Sequence, residues 1–350
     1  MQSAYFISAC AIARLHLPSS FSQGTTTTFE ELTAHARNVS RTPSLPVSSI
    51  TRLVRHGITN HIFAEHSPGV INHTATSHAI ATFPGLRSGL EEFGASLWPA
   101  GQRLVDALLT WPDSGEVNQT GYNLASGSDG SFWADYAKDT KKMQRFADAM
   151  VFLSKKPGLE VEGFVDAVDW RGAKLVVDVG GSQGEVGRKI AEKLVDDAKV
   201  VVQDREEVVS GSVGQASDRV EFQAHDFFTE QKVKGADIYV LRQILHDWSD
   251  QYCKKILEGL IPALKTGARI LVNDSVLPEI GQVSKYQERV LRHSDLMMWR
   301  MFNAKERDEA DWRKLFAGTD GRFKVVQVIR PPGQALGIVE VEWRGDLNGE

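Results

Sequence analysis

The second half of the chain alternates short apolar runs with helical segments, and this alternation limits the possible folds more than any other feature. Strands that alternate with helices predict an α/β fold with a parallel, doubly wound sheet. Two final runs are joined by RPPGQ, which is too short for a crossover helix, so they predict an antiparallel hairpin. From Lys174 onward the runs are KLVVDVG, AKVVVQD, RVEFQAHD, ADIYVLRQ, ARILVND, FKVVQVI and ALGIVEVEW.

The first third of the chain predicts helices and one small β element. Thr28-Phe-Glu-Glu31 is a capping-box pattern, which predicts a short helix through about Arg37. Pro46 begins a second segment with helical spacing, and HIFAEH and VINHTA predict two strands around the turn Ser67-Pro68-Gly69. Helix, helix and hairpin in this order are typical of a winged-helix module.

A polar connector rich in Gly and Ser, NQTGYNLASGSDGS, separates further amphipathic helices predicted over residues 86–111 and 131–155. At 350 residues the chain exceeds what one core usually serves, so two domains are expected. The boundary predicted at the connector gives a mainly α-helical winged-helix, dimerisation-like domain over 1–120 and a ligand-binding catalytic domain over 121–344.

Composition and charge exclude several classes of protein. With 40 basic and 45 acidic residues the net charge is −5, which disfavours a nucleic-acid partner. No run approaches the ~18 apolar residues of a membrane span. Cys10 and Cys253 provide neither a disulfide framework nor metal-ligand spacing, so no metal site is predicted. The apolar run AYFISACAIA lacks a preceding basic segment, which favours a buried helix over a signal peptide. These features predict a soluble, cytoplasmic protein.

A glycine-rich turn, Asp178-Val-Gly180-Gly181-Ser-Gln-Gly184, lies where the first predicted strand leads into its helix. Glycines there let a ligand approach the backbone, and the helix N-terminus faces the same crevice. The spacing differs from G-x-G-x-x-G, which argues against NAD. Taken alone, such a turn fits a nucleotide site or a tight connection.

Acidic residues follow the next two strands at the same edge of the predicted sheet. Asp204 ends the second strand, where a carboxylate suits the two hydroxyls of an adenosine ribose. Asp226 and Phe227 end the third, where they offer an acceptor for an exocyclic amine and an apolar surface for a purine. Each acid alone could simply cap the helix that follows it. Together they predict an adenosine ligand without a pyrophosphate.

A histidine follows the fourth strand, in the segment LHDWSD. His246 therefore lies at the carboxyl edge where open α/β sheets bind ligands, and an imidazole pKa of ~6.5 suits a general base. By position alone it fits a structural histidine equally well, and His225, in a second His-Asp pair, is interpreted as structural. Asp274 ends the fifth strand and Glu306 lies in Lys305-Glu306-Arg307. A nearby carboxylate would fix the tautomer of the imidazole, although spacing alone favours a solvated Glu306.

These motifs, taken in order, resemble the class II, plant- and fungal-type S-adenosylmethionine-dependent O-methyltransferases, in the branch found in fungal secondary metabolism. The likeness covers roughly residues 28–344. It implies a Rossmann-like methyltransferase sheet, a homodimer, and methyl transfer from S-adenosyl-L-methionine to a hydroxyl, phenolic in type, of a small aromatic or polyketide-type metabolite. The motifs are DVGGSQG, VVQD, HDFF, LHDWSD, and DLMMW followed by NAKERDEADW.

The resemblance also implies roles for individual residues. It makes His246 the base, flanked by Asp274 and Glu306. Methionines on the predicted helix before Glu306 match acceptor-clamping residues of the family, and a role in the core fits their spacing equally well. The implied cofactor residues are Gly180, Gly181, Asp204, Asp226, Phe227 and Arg242, and the implied acceptor residues are Met297 and Met298.

Departures from the family pattern keep alternative functions open. Asp274 stands where plant relatives carry glutamate, and Ser182 replaces a common glycine. The chain is shorter than the family at its N-terminus, which leaves an inactive, truncated paralogue as one alternative. Another is a pericyclase or decarboxylase that binds S-adenosylmethionine without transferring methyl. A DNA-binding regulator is opposed by the low basic charge.

Overall fold

The computed structural model describes residues 2–195, 197–211 and 216–345. Tertiary contacts divide the chain into a helical unit, Met1–Val105 with Gly121–Lys155, and a sheet unit, Asp106–Thr120 with Lys156–Glu350. The predicted domain limits, 1–120 and 121–344, stay predictions. Among the described residues there is no helix long and apolar enough to cross a membrane.

The helical unit contains short helices and a three-stranded antiparallel sheet in which β3 lies between β1 and β2. The helix that follows β3 begins at a second capping box, formed by Thr74 and Ser77. Its elements are α1 (Gln2–Arg14), β1 (Thr26–Thr27), α2 (Phe29–Ser40), α3 (Val47–Ile58), β2 (Phe63–Ser67), β3 (Val70–His73), α4 (Ala75–Thr82), α5 (Pro84–Glu92) and α6 (Trp98–Gln102), then α7 (Leu104–Thr110), which continues into the sheet unit, and α8 (Gly121–Ser126), α9 (Phe132–Ala137) and α10 (Thr140–Ser154).

The predicted order of helix, helix and hairpin is present in this unit. The capping box is confirmed, because the amide of Glu31 donates to Oγ1 of Thr28 at 3.2 Å and the amide of Thr28 donates to Oε2 of Glu31 at 2.9 Å. The helix that it begins continues to Ser40, past the predicted end at Arg37. The apolar run at residues 4–13 is helical, and it buries Ile12 in the core of the unit. A winged-helix role for these elements stays a prediction.

The helices predicted over 86–111 and the connector after them differ in detail from the sequence prediction. A π-helical turn, Phe93–Leu97, separates α5 from α6, and Pro99, which has no amide proton to donate, lies in the first turn of α6. Part of the polar connector forms α8. The side-chain amide of Asn123 stabilises the following turn by donating to the carbonyls of Ser128 and Gly130, at 2.8 and 2.7 Å.

The sheet unit is built on a seven-stranded sheet in the order β11-β12-β8-β7-β4-β5-β6. Neighbouring strands are parallel except at β12, which pairs antiparallel with both β8 and β11, so the doubly wound sheet and the terminal hairpin are both confirmed. The elements are α11 (Val161–Ala167), β4 (Leu175–Val179), α12 (Glu185–Lys193), β5 (Lys199–Asp204), α13 (Glu206–Val209), β6 (Val220–Ala224), β7 (Ile238–Arg242), α14 (Asp250–Leu260), β8 (Arg269–Asp274), β9 (Val276–Leu277), α15 (Lys285–Phe302), β10 (Arg307–Asp308), α16 (Glu309–Ala317), β11 (Phe323–Ile329) and β12 (Gly337–Trp343).

Both faces of the sheet are buried, which explains why its strands are apolar runs without alternation. On one face Val177 and Tyr239 belong to the same core cluster as Leu257 of α14 and Trp312 of α16. On the other face the strands share a cluster with Ile190 of α12 and with residues of α11. Order in the sheet reverses beside β4, where such folds bind ligands beyond the carboxyl ends of the strands.

A short parallel pair, β9 with β10, lies outside the main sheet and has no counterpart in the sequence prediction. Val276 pairs with Arg307, and Leu277 pairs with Asp308. The pairing draws the segment around Glu306 to the end of β8, where Asp274 lies. Two predicted carboxylates that are far apart in sequence therefore lie at one edge of the sheet.

Candidate functional site

The glycine-rich turn is folded back onto the neighbouring strand. The amides of Gly180 and Gly181 both donate to the carbonyl of Gln203, at 2.8 and 2.9 Å. Gly180 has a φ of +74°, which favours glycine. A Cβ on Gly181 would lie 2.5 Å from Oδ2 of Asp178, closer than packed atoms allow. The turn therefore needs both glycines.

Asp204 ties this turn to the end of β5. Its Oδ2 accepts the amide of Ser182 at 2.9 Å, and its Oδ1 accepts the amide of Arg205 at 2.8 Å. Burial raises the pKa of this carboxyl, and the two amides oppose the rise. Each oxygen keeps a second lone pair, so the side chain can both hold the turn and accept hydroxyl groups.

Asp226 and Phe227 lie at the same edge of the sheet. Asp226 is exposed, and its Oδ1 accepts the amide of Phe228 at 3.0 Å. The ring of Phe227 lies beside the glycine-rich turn, since a Cβ on Gly180 would be 4.0 Å from its Cε1. An aromatic surface, two strand-end carboxylates and a bare glycine turn fit an adenosine ligand.

Asp178, the first residue of the glycine motif, was given no role in the sequence analysis. Its side chain is 1% exposed, and no described residue satisfies Oδ2. Burial raises its pKa to about 7, Arg242 opposes the rise and Asp204 adds to it. The sequence signal was present, because the motif begins with an acid at the end of an otherwise apolar strand.

Arg242, an implied cofactor residue, is engaged by the protein itself. Its Nε donates to Oδ1 of Asn273 at 2.9 Å, and its terminal nitrogens donate to Leu159 O at 2.7 Å and to Oε1 of Gln243 at 3.2 Å. Burial lowers its pKa, and Asp178 and Asp274 oppose the decrease. In this structure its contacts join β7, β8 and the segment before α11.

His246 lies in a 3₁₀ turn, Leu245–Asp247, directly beyond β7. Its Nδ1 is 3.3 Å from Oε1 of Glu306, and its Nε2 is 3.6 Å from Oδ1 of Asp247. Burial alone would lower its pKa, but the carboxylates of Asp247, Asp274 and Glu306 raise it to about 10. The structure thus brings together the three residues predicted for catalysis.

Two adjacent residues of α15 hold Glu306 in place. Its Oε1 accepts the hydroxyl of Ser294 at 2.6 Å, and its backbone amide donates to Oδ1 of Asp295 at 3.0 Å. Burial would raise the pKa of Glu306, but hydrogen bonding to His246 and Ser294 lowers it. An ionised Glu306 can only accept a hydrogen bond, so Nδ1 of His246 carries the proton. In the neutral ring Nε2 keeps a lone pair that can accept a second proton.

Asp274, which is buried, and Asp247, whose side chain is partly exposed, complete an acidic cluster around the imidazole. Asp274 is fully buried, and neither of its oxygens has a partner with hydrogen-bond geometry among the described residues. Burial raises the pKa of each of these two carboxyls to about 6, and His246 opposes both shifts. Asp247 was not singled out from the sequence, although it directly follows His246.

The remaining predicted residues differ in accessibility. Met297 is partly exposed on α15, whereas Met298 is buried. His225, interpreted as structural, is buried at the end of β6, and its backbone amide donates to Asp204 O at 2.8 Å. His246 lies beside Glu306, a carboxylate from another segment, and the structural role of His225 stays a prediction.

Comparison with known proteins agrees with this geometry. A family model described as an O-methyltransferase domain matches residues 108–321, more than half of the chain. The O-methyltransferase kk1A of Curvularia clavata is 35% identical over 338 residues, which cover 95% of this chain and 78% of that protein. The chlorophenol O-methyltransferase of Trichoderma longibrachiatum is 38% identical over 317 residues, 87% of this chain and 67% of that protein. The crystal structure of OxaC in complex with SAH and oxaline has a TM-score of 0.83 at 23% identity, with coverage of 98% and 86%.

Sheet order and the crevice beyond β4 define a Rossmann-like methyltransferase fold. The chain belongs to the O-methyltransferase family, in its class II, plant- and fungal-type group. As a member of that family it is an S-adenosyl-L-methionine-dependent enzyme, and the glycine turn and the strand-end carboxylates described above fit the adenosine part of that cofactor.

Proposed function

We propose that His246 is the general base in methyl transfer to a phenolic hydroxyl of a small aromatic or polyketide-type metabolite. The observation that carries the proposal is the 3.3 Å contact between Nδ1 of His246 and Oε1 of Glu306 inside an acidic cluster. That contact leaves Nε2 of the neutral ring to accept the hydroxyl proton. Glu306 and Asp274 flank the base, as the sequence analysis predicts.

The protein orients the acceptor and supplies a base whose pKa is close to that of a phenol. S-adenosyl-L-methionine supplies an already activated methyl group, so orientation of the acceptor is the main task and can provide about 7–11 kcal/mol. An ordinary imidazole of pKa ~6.5 accepts a proton poorly from a phenol near ~10, a gap of roughly 5 kcal/mol. The surrounding carboxylates raise the pKa of His246 to about 10, which narrows that gap.

The raised pKa of His246 also leaves little of the imidazole in its neutral form at neutral pH. With a pKa of about 10, His246 is mostly protonated below pH 9, and only its neutral form can act as a base. The proposed mechanism therefore requires loss of a proton from the cluster before the acceptor is deprotonated. A rate that rises with pH follows from this requirement.

The proposal assigns the remaining predicted residues to binding. The backbone at Gly180 and Gly181, with Asp204, holds the methionyl and ribose part of the cofactor, while Asp226 and Phe227 face the adenine. Arg242 supports the crevice through Asn273 and Leu159. Met297 contacts the acceptor, and Met298 does so only if α15 shifts, because it is buried.

Phenolic acceptors, a homodimer and a cytoplasmic location belong to the same proposal. The name of the relative that acts on chlorophenol supports a phenolic acceptor. The resemblance to a dimeric family supports the homodimer. The balance of charges and the presence of only two cysteines support a cytoplasmic enzyme.

The decisive experiment combines cofactor binding with transfer of labelled methyl. Calorimetric titration with S-adenosyl-L-methionine should give one-site binding that Asp204→Ala weakens, whereas Glu221→Ala, an exposed acid on β6, should leave it unchanged. Incubation with methyl-labelled cofactor and a panel of phenols should place the label in the product. Binding without label transfer would instead favour the pericyclase or decarboxylase alternative, and no binding by folded protein would favour an inactive paralogue.

A further inference from the structure

Arg307 is a completely buried cation that donates to two backbone carbonyls of the segment that carries His246, and one of its terminal nitrogens also donates to Lys305 O at 3.4 Å. The side chain is 0% exposed. One terminal nitrogen donates to Leu245 O at 3.0 Å, and the other donates to Trp248 O at 2.9 Å. These two carbonyls flank His246 in the chain, so the guanidinium fixes the backbone on both sides of the imidazole.

Asp250 and Trp312 hold the guanidinium itself in place. Oδ1 of Asp250 accepts from Nε of Arg307 at 3.0 Å and from one terminal nitrogen at 2.8 Å. The same nitrogen lies 3.3 Å from Sγ of Cys253, and the guanidinium stacks on the ring of Trp312 with 5.1 Å to the centroid. A planar cation with this many fixed contacts has little freedom to move.

The backbone of Arg307 belongs to the other half of the catalytic arrangement. It pairs with Val276 in the β9–β10 pair, and its chain neighbour is Glu306. One residue thus joins the carboxylate segment through its backbone to the histidine segment through its side chain.

We propose that Arg307 is the positioning residue of this enzyme, which holds the imidazole of His246 against the carboxylate of Glu306. The inference rests on the proposed role of His246 as base. Arg307 touches neither the ring nor the carboxylate, so it acts through geometry. The charge of Arg307 also acts on the nearby Asp274. Arg307→Lys is therefore the appropriate variant, because lysine keeps the positive charge but lacks the planar, forked set of donors of the guanidinium.

The first measurement is titration of the His246 ring by NMR, which does not depend on activity. Asp247, Asp274 and Glu306 face this ring, while Ser275 and Ser294 also face Glu306. If Arg307 holds Glu306 close, Arg307→Lys should lower the pKa of His246 from about 10, and Asp250→Asn, which loosens Arg307 more gently, should lower it less. Arg219→Lys is the matched control, because Arg219 also donates to two backbone carbonyls at 3.0 Å but lies at the amino end of β6.

The second measurement is a double-mutant cycle of kcat. Arg307→Lys should lower the pH-independent maximum of kcat about tenfold with little change in the KM for cofactor, since small misplacements of a catalytic group are costly. Added to Glu306→Gln, the same change should have almost no further effect, because the partner that Arg307 positions is already lost. An additive effect in the double variant, or an unchanged titration of His246 in folded Arg307→Lys and Asp250→Asn, would overturn the inference. If the wild-type enzyme transfers no methyl, the proposed function fails, yet the titration still decides the role of Arg307.

Discussion

Nδ1 of His246 lies 3.3 Å from Oε1 of Glu306, although the two residues are 60 positions apart in the chain. His246 follows β7 of the main sheet, whereas Glu306 precedes β10 of the small parallel pair. The imidazole gains from this contact both a fixed tautomer and a higher pKa.

Replacement of His246 by alanine should remove methyl transfer and leave cofactor binding almost unchanged. A positioned base contributes about 10²–10⁴-fold, so the rate with labelled cofactor should fall by that factor. His225→Ala is the matched control, since His225 is also buried in a His-Asp pair at a strand end. A His246→Ala enzyme that keeps most of its turnover would show that the base is another group.

Replacement of Glu306 by glutamine should move the pH–rate profile to lower pH. The carboxylate helps to raise the pKa of His246 to about 10, so its loss lowers that pKa. Since only the neutral imidazole acts as base, kcat/KM should reach half of its maximum at lower pH than in the wild type. The maximum itself should fall, because the imidazole is then less basic and less firmly oriented. A profile that keeps the wild-type midpoint would contradict the coupling.

Substitution of Gly181 by alanine should weaken cofactor binding at least about tenfold, because an added Cβ would lie 2.5 Å from Oδ2 of Asp178 and force the turn apart. Gly321→Ala is the control, since an added Cβ there meets nothing within 4 Å and the residue has no positive φ. Calorimetric titration with S-adenosyl-L-methionine measures both variants. Equal affinity in the two would argue that the turn is only a connection between β4 and α12.

Asp178 should make the protein less stable as the pH rises. Its pKa is raised to about 7 by burial, so the stability it contributes is present below the unfolded value of ~3.9 and is lost as pH rises through about 7. The shift of about three units corresponds to at most about 4 kcal/mol. Asp178→Asn should therefore flatten the dependence of the free energy of unfolding on pH between 4 and 8, as measured by urea denaturation.

A control with the opposite sign is available for that prediction. Burial would raise the pKa of Asp237, but its hydrogen bonds to Lys265 and to the amides of Lys174 and Leu175 lower it overall. Its contribution to stability is present above the unfolded pKa and is lost on acidification. Asp237→Asn should thus destabilise the protein near pH 7, whereas Asp178→Asn should remove the free-energy cost of ionising a buried carboxyl at that pH. The same sign of change in both variants would contradict the assignment for Asp178.

The sequence by itself determined the doubly wound sheet, its terminal hairpin and the position of the glycine turn. These are local properties, because buried strands read as continuous apolar runs and a connection as short as RPPGQ permits only an antiparallel return. The ordered motifs determined the family as well. His246 could be placed at a strand end because the apolar run that precedes it is a local pattern as well.

Only the tertiary structure decided which groups surround that histidine. Spacing alone favours a solvated Glu306, yet the residue is 2% exposed and lies against the imidazole. The β9–β10 pair that brings it there contains two residues in each strand, too few to give a periodic signal. The complete burial of Arg307 could not be predicted from the sequence either. A charged residue within KER is buried only when distant carbonyls and Asp250 accept its hydrogen bonds. Long-range contacts of this kind depend on how the segments pack, and no local pattern records them.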